Sequence, residues 1–231
     1  MIGSNLKKKI CAEFIGTFAL VFCGCGAVMI HHLHPNAIPL HSIPVIFGLV
    51  IAAMIYAAGH ISGAHFNPAV TLAFTVVKRF SWREVIPYGL GQCFGALAAM
   101  AMLTAALPET GSVGETIPTV TTMQAFLWEY ILTFFLMFVI MSVATDSRAI
   151  GIMAGAAIGG TVMLDAFIGG PITGASMNPA RSLAPALFAG NYTHLWLYFL
   201  APALGAITAA LLYEAIRCDD EPSKSAAKGC C

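Results

Sequence analysis

Two copies of the tripeptide Asn-Pro-Ala, Asn67-Pro68-Ala69 and Asn178-Pro179-Ala180, carry most of the chemistry in this sequence. Asparagine is a favoured helix N-cap and proline suits the first helical turn, so each box reads as a helix start. The side-chain oxygen can hold the first amides of its helix while the amide N–H donates to a passing molecule. The positive end of the helix dipole sits at the same place. One such box is an ordinary cap. Here each opens an apolar piece too short to cross a bilayer, Pro68–Val77 and Pro179–Ala189. Arg181 follows the second box and is the only charged residue in either piece. An arginine among apolar residues marks a functional position in a membrane protein. Glu13 and Glu129, each buried in an apolar stretch, are the other charges that need a reason.

The elements that must position these groups are membrane spans. The chain has 231 residues, 58% of them hydrophobic and only 10% charged, and its mean hydropathy is +0.83. Soluble domains are about a quarter charged, so a soluble enzyme is excluded. Eleven basic residues balance eleven acidic ones, so no basic excess is available for nucleic acid. Six runs are long enough to span: Ile10–Ile30, Ile43–Ile61, Val85–Leu107, Met123–Ala144, Ala149–Gly170 and Leu195–Ile216. The first is too long for a cleaved signal peptide. Seven cysteines, an odd number, four of them inside apolar runs, give no disulfide framework. Every basic residue except Arg181 falls on one side if the six runs alternate, which makes that side, with both termini, cytoplasmic. The expected location is the plasma membrane. The polar tail, residues 218–231, reads as a disordered cytoplasmic extension ending in Cys230 and Cys231.

The chain also repeats itself. Glu13-Phe14-Ile15-Gly16-Thr17-Phe18 resembles Glu129-Tyr130-Ile131-Leu132-Thr133-Phe134, and Gly63-Ala64-His65-Phe66-Asn67-Pro68-Ala69 resembles Gly174-Ala175-Ser176-Met177-Asn178-Pro179-Ala180. One domain over 1–231 then contains two repeats, roughly 8–107 and 123–217. Three spans per repeat force opposite topologies. Inverted repeats place a transit site at the midplane, where discontinuous helices meet. The predicted fold is an all-α membrane protein of six transmembrane helices and two re-entrant half-helices.

At these residues the sequence resembles the aquaporins, the major intrinsic protein family, over nearly its whole length. Gly59-His60-Ile61-Ser62-Gly63-Ala64-His65-Phe66-Asn67-Pro68-Ala69-Val70-Thr71 matches the family's first box. Gly174-Ala175-Ser176-Met177-Asn178-Pro179-Ala180-Arg181-Ser182-Leu183 resembles its nodulin-like branch. The resemblance implies that Asn67 and Asn178 are midplane donors, and that Glu13, Glu129 and His60 are structural anchors of the loops. It implies a homotetramer with one pore per subunit. It also implies a narrowest ring of four positions, which spacing to the boxes puts at Phe47, Ala166, Ala175 and Arg181. Strict water channels of the family carry histidine where Ala166 stands, and typical glycerol channels carry a second aromatic in the ring. Two methyl groups here imply a wider, partly apolar opening. The expected function is passive passage of water and small uncharged solutes: glycerol, urea, and boric, silicic or arsenous acid. Protons and ions are excluded by the converging dipoles and Arg181.

Two alternatives follow from the same residues. A strict water channel results if the backbone narrows the ring. A proton-coupled transporter would use Glu13, Glu129 and Asp165 as coupling sites. Asp165 is expected to turn away from the pore, since adjacent helical residues point about 100° apart. His31, His32, His34 and His41 crowd the first outer loop without metal-ligand spacing and read as solvated. His65 is expected to face the cytoplasmic vestibule. No catalytic cluster, metal site or cofactor is expected, and the partners are water, small neutral solutes and the bilayer.

Overall fold

Eight α-helices build the described residues, which are 4–108, 110–145 and 151–217 of a computed structural model. In chain order they are α1 (Ser4–Leu33), α2 (Ile43–Ser62), α3 (Pro68–Val76), α4 (Trp82–Ala106), α5 (Thr122–Thr145), α6 (Ala154–Thr173), α7 (Pro179–Ala189) and α8 (Leu195–Ile216). All except α3 and α7 are long and apolar enough to cross a membrane. The six expected spans and the two short pieces therefore correspond to these elements within a few residues. The first begins earlier than expected, at Ser4 rather than Ile10, and the fifth begins later. The expected start of the fifth, Ala149, lies outside the described residues, and a 3₁₀ turn over Gly151–Met153 precedes α6. An apolar run does not reveal where hydrogen bonding changes from one helix type to the other. Residues 218–231, with Cys218, Cys230 and Cys231, also lie outside the described residues.

Three helix pairs form the frame: α1 with α4, α5 with α8, and α2 with α6. Small residues let their backbones touch, the usual device where lipid supplies no hydrophobic drive between helices. A Cβ on Gly95 would lie 2.3 Å from the Phe14 carbonyl oxygen, and one on Gly205 would lie 2.2 Å from that of Tyr130. These are equivalent contacts in the two repeats. In the third pair, Gly48 and Gly159 face each other, each Cβ position 2.5 Å from the other's carbonyl oxygen. The half-helices interlock the repeats: α3 packs on α8, and α7 packs on α4.

Each half-helix follows the same local path. α2 ends at Gly63 (φ 88°) and α6 at Gly174 (φ 83°), both left-handed caps. Glycine takes that conformation without steric cost. The chain then passes through further positive-φ residues that are not glycine: Ala64 and Phe66 before α3, Ala175 and Met177 before α7. Such conformations are costly for side chains carrying a Cβ and persist only where the surroundings hold them.

Candidate functional site

The residues that hold these strained loops are the two buried glutamates. Glu13, on α1, accepts the Ser62 hydroxyl (2.7 Å) and the His65 N–H (3.0 Å) on Oε1, and the Phe66 N–H (2.6 Å) and Gln92 amide (2.8 Å) on Oε2. Glu129, on α5, accepts the Thr173 hydroxyl (2.6 Å) and Ser176 N–H (2.8 Å) on Oε1, and the Met177 N–H (2.8 Å) on Oε2. Both glutamates are fully buried. A buried carboxylate is tolerable when charge-assisted hydrogen bonds occupy its oxygens. A tyrosine braces each loop from a third helix: Tyr88 donates to the Ser62 carbonyl (2.8 Å) and Tyr198 to that of Thr173 (2.7 Å). Nothing in their local sequence marks these tyrosines, although the repeat places them at equivalent positions.

Of the two histidines beside the first box, His65 faces the inner cavity as expected, but the bracing expected of His60 is absent. His60 is exposed in the last turn of α2 and makes no hydrogen bond among the described residues, so it is no anchor. Three residues before the loop, its side chain points out of the packed interface. Bracing falls to His65, whose ring stacks on Phe74 and packs against Phe80 and Tyr88. His65 Nδ1 lies 3.0 Å from the Thr71 hydroxyl. That hydroxyl donates its single proton to the Asn67 carbonyl, so Nδ1 is the donor in this pair. His65 also lines the cavity on the terminal side of the boxes.

The two boxes meet. Asn67 caps α3 by accepting the Ala69 N–H at 2.9 Å, and Asn178 caps α7 by accepting the Ala180 N–H at 3.0 Å. The cap is what the residue types lead one to expect. The amides add a feature that sequence reasoning missed. Asn67 Nδ2 donates to the Met177 carbonyl (2.7 Å), and Asn178 Nδ2 donates to the Phe66 carbonyl (2.8 Å). Each asparagine thus ties its own half-helix to the opposite loop. An amide nitrogen carries two N–H groups, so one remains on each for another acceptor. Both asparagines line the inner cavity. Pro68 and Pro179 occupy the first helical position, where no backbone N–H is missed, and Ala69 and Ala180 are buried at the meeting point.

Two cavities run end to end. The inner one, about 360 Å³, extends from the face carrying both described termini past the boxes. The outer one, about 590 Å³, opens beyond them and is lined by His31, His32 and His41 among others. The residues common to both are Phe47, Ala166, Ala175 and Arg181. The four positions picked out by spacing therefore stand together at the junction. Arg181 is 5% exposed, its guanidinium carbon lies 5.2 Å from the centre of the Phe47 ring, and its Nη1 donates to the Gly114 carbonyl at 2.7 Å. Its Nε–H has no acceptor among the described residues. Phe47 leans into a slot left by Gly24 on α1, where a Cβ would come within 2.1 Å of the ring. Asp165 lines neither cavity, is 2% exposed, and has one oxygen with no partner among the described residues. Of the outer histidines, His31 pairs through Nδ1 with the Ile38 carbonyl and His32 with that of Val28.

Two end-to-end cavities inside an inverted pair of helix bundles, joined through one opening that a single arginine lines, define a multi-pass membrane channel rather than an enzyme. The chain belongs to the major intrinsic protein family, whose model matches residues 2–213. It is 46% identical to a Nodulin-26 from Glycine max over 229 residues, 99% of this chain and 84% of that protein. It is also 46% identical to an Aquaporin NIP1-1 from Oryza sativa subsp. japonica, covering 96% of this chain and 78% of that one. Among solved structures, the aquaglyceroporin from Plasmodium falciparum matches with a TM-score of 0.82 at 24% identity, covering 91% of this chain and 96% of that chain. The protein is thus a nodulin-like aquaporin, a membrane channel for water and small solutes.

Proposed function

We propose that this channel passes small uncharged polyols and hydroxylated acids as well as water: glycerol, urea, and boric, silicic or arsenous acid. The observation that carries this reading is the junction between the cavities. One aromatic ring, two methyl groups and one guanidinium surround it. Ala166 and Ala175 leave room on two sides, and an apolar wall tolerates the carbon backbone of a polyol. Arg181 and the free amide protons of Asn67 and Asn178 supply donors to solute oxygens in sequence along the path. The same positive groups repel cations and protons. The subunit works as one of four identical pores in the plasma membrane, with both termini in the cytoplasm, the side that the basic residues favour.

Stopped-flow light scattering on proteoliposomes tests the proposal. Vesicles shrink in hyperosmotic sucrose at a rate set by water. In glycerol or boric acid they are expected to shrink and then re-swell far faster than empty vesicles. Water flux with no solute uptake overturns the wide filter and makes the protein a strict water channel.

A further inference from the structure

Arg181 rests on an acceptor outside the helices. The Gly114 carbonyl that receives its Nη1 belongs to the irregular connection between α4 and α5. What fixes Gly114 therefore fixes the guanidinium. Of the hydrogen bonds that hold the connection, three bear on this point. Thr116 shares a hydrogen bond with Ser182 of α7 (2.8 Å), and the Thr119 N–H donates to the Ile172 carbonyl at the end of α6 (2.9 Å). The third tie comes from below, at Gly114 itself. The thiol of Cys25, on α1, lies 3.8 Å from the same carbonyl oxygen and donates to it. Gly114 sits at φ 79° directly on this side chain. A Cβ there would lie 3.0 Å from the Cys25 Cβ and 3.2 Å from its sulfur.

Cys25 is completely buried and lines neither cavity. No permeant touches it. It belongs to a buried apolar cluster shared by α1, α4 and α7, with Val21, Met29, Ala96, Ala99 and Ala180. Its size and its weak S–H donor set the height of the Gly114 carbonyl above the bundle. We propose that Cys25 is a positioning residue for the filter: through Gly114 it determines how far Arg181 reaches into the opening, and so the ratio of solute to water passage. The inference rests on the reading of Arg181 as a wall of that opening.

Two substitutions should move the ratio in opposite directions. Cys25→Leu adds bulk beneath Gly114, drives the carbonyl and Arg181 toward the opening, and lowers the glycerol-to-water permeability ratio. Cys25→Ala removes the thiol, lets the connection sink and Arg181 withdraw, and raises it. Changes of about threefold each way are expected, under 1 kcal/mol of barrier. Cys25→Ser keeps a donor in nearly the same volume and should hold the wild-type ratio. A merely structural defect lowers the amount of active channel and leaves the ratio untouched. Where leucine prevents folding, the contrast between alanine and serine carries the test. Arg181→Ala is measured alongside. If it shifts the ratio while the Cys25 variants do not, the role of Cys25 is overturned and the filter stands. If Arg181→Ala leaves the ratio unchanged, the filter reading fails and this inference with it.

Discussion

Ala166 contributes a single methyl group to the junction between the cavities, and its neighbour Phe47 owes its position to the absence of a side chain at Gly24. Both facts can be tested by adding atoms. Ala166→His puts a ring and a donor into the opening. Glycerol permeability is expected to fall about tenfold or more, an added barrier near 1.4 kcal/mol, while water flux persists. Equal losses of water and glycerol flux would show that Ala166 does not set the size limit. Gly24→Ala acts on Phe47 from behind. The new Cβ overlaps the ring, which must swing toward Arg181, so solute uptake should drop without any change in the residues a solute meets. Stopped-flow uptake of glycerol and of the larger erythritol measures this, and the larger solute should suffer more. An unchanged erythritol-to-glycerol ratio speaks against the slot. The resemblance to the family leads to Phe47, Ala166, Ala175 and Arg181, because it carries the ring over at fixed offsets from the boxes. Gly24 and Cys25 are not legible in the same way. Their roles come from contacts across helices, and a glycine or a cysteine in an apolar span looks like ordinary packing.

At the scale of elements, each half-helix is the end product of one carboxylate. Asn-Pro at a helix start, glycine at the preceding turn and an apolar run too short to span are local signals, so α3 and α7 are legible in the residue order alone. The glutamate anchors follow from the repeat. The cross-bonds from Asn67 to Met177 and from Asn178 to Phe66 do not, because nothing in either loop says which carbonyl of the other it will meet. Replacing either glutamate by glutamine tests the anchoring. The amide nitrogen would face backbone N–H groups that need an acceptor, leaving buried donors unsatisfied at about 1–3 kcal/mol each. Glu13→Gln and Glu129→Gln should both lower the thermal midpoint in detergent, read by loss of the monodisperse peak after heating. Glu13 accepts four hydrogen bonds and Glu129 three, so the first substitution should cost more. Midpoints equal to that of the wild type would mean that the loops hold their strained conformation without the carboxylates.

For the whole molecule, the question is whether the inverted repeat works as a fixed pore or as a transporter that alternates. Broken helices at a midplane suit both. The hydrogen bonds decide between them. A coupling carboxylate must change partners as its proton comes and goes, but the oxygens of Glu13 and Glu129 are occupied by the loops that build the pore. Releasing either would dismantle α3 or α7. The half-helices also bind the two repeats together, α3 on α8 and α7 on α4, with the asparagine amides crossing between them. Rocking one repeat against the other would break these links. Asp165 is the remaining candidate, and it lies behind the pore wall, on neither cavity. Flux should therefore follow the solute gradient alone. In proteoliposomes loaded with glycerol or boric acid, efflux and influx at equal and opposite gradients are expected at equal rates. An imposed pH gradient, or its collapse by a protonophore, should change neither. Asp165→Asn should leave this indifference intact. Accumulation of solute against its gradient when a pH difference is applied, abolished in Asp165→Asn, would identify a coupled transporter with Asp165 as its proton site.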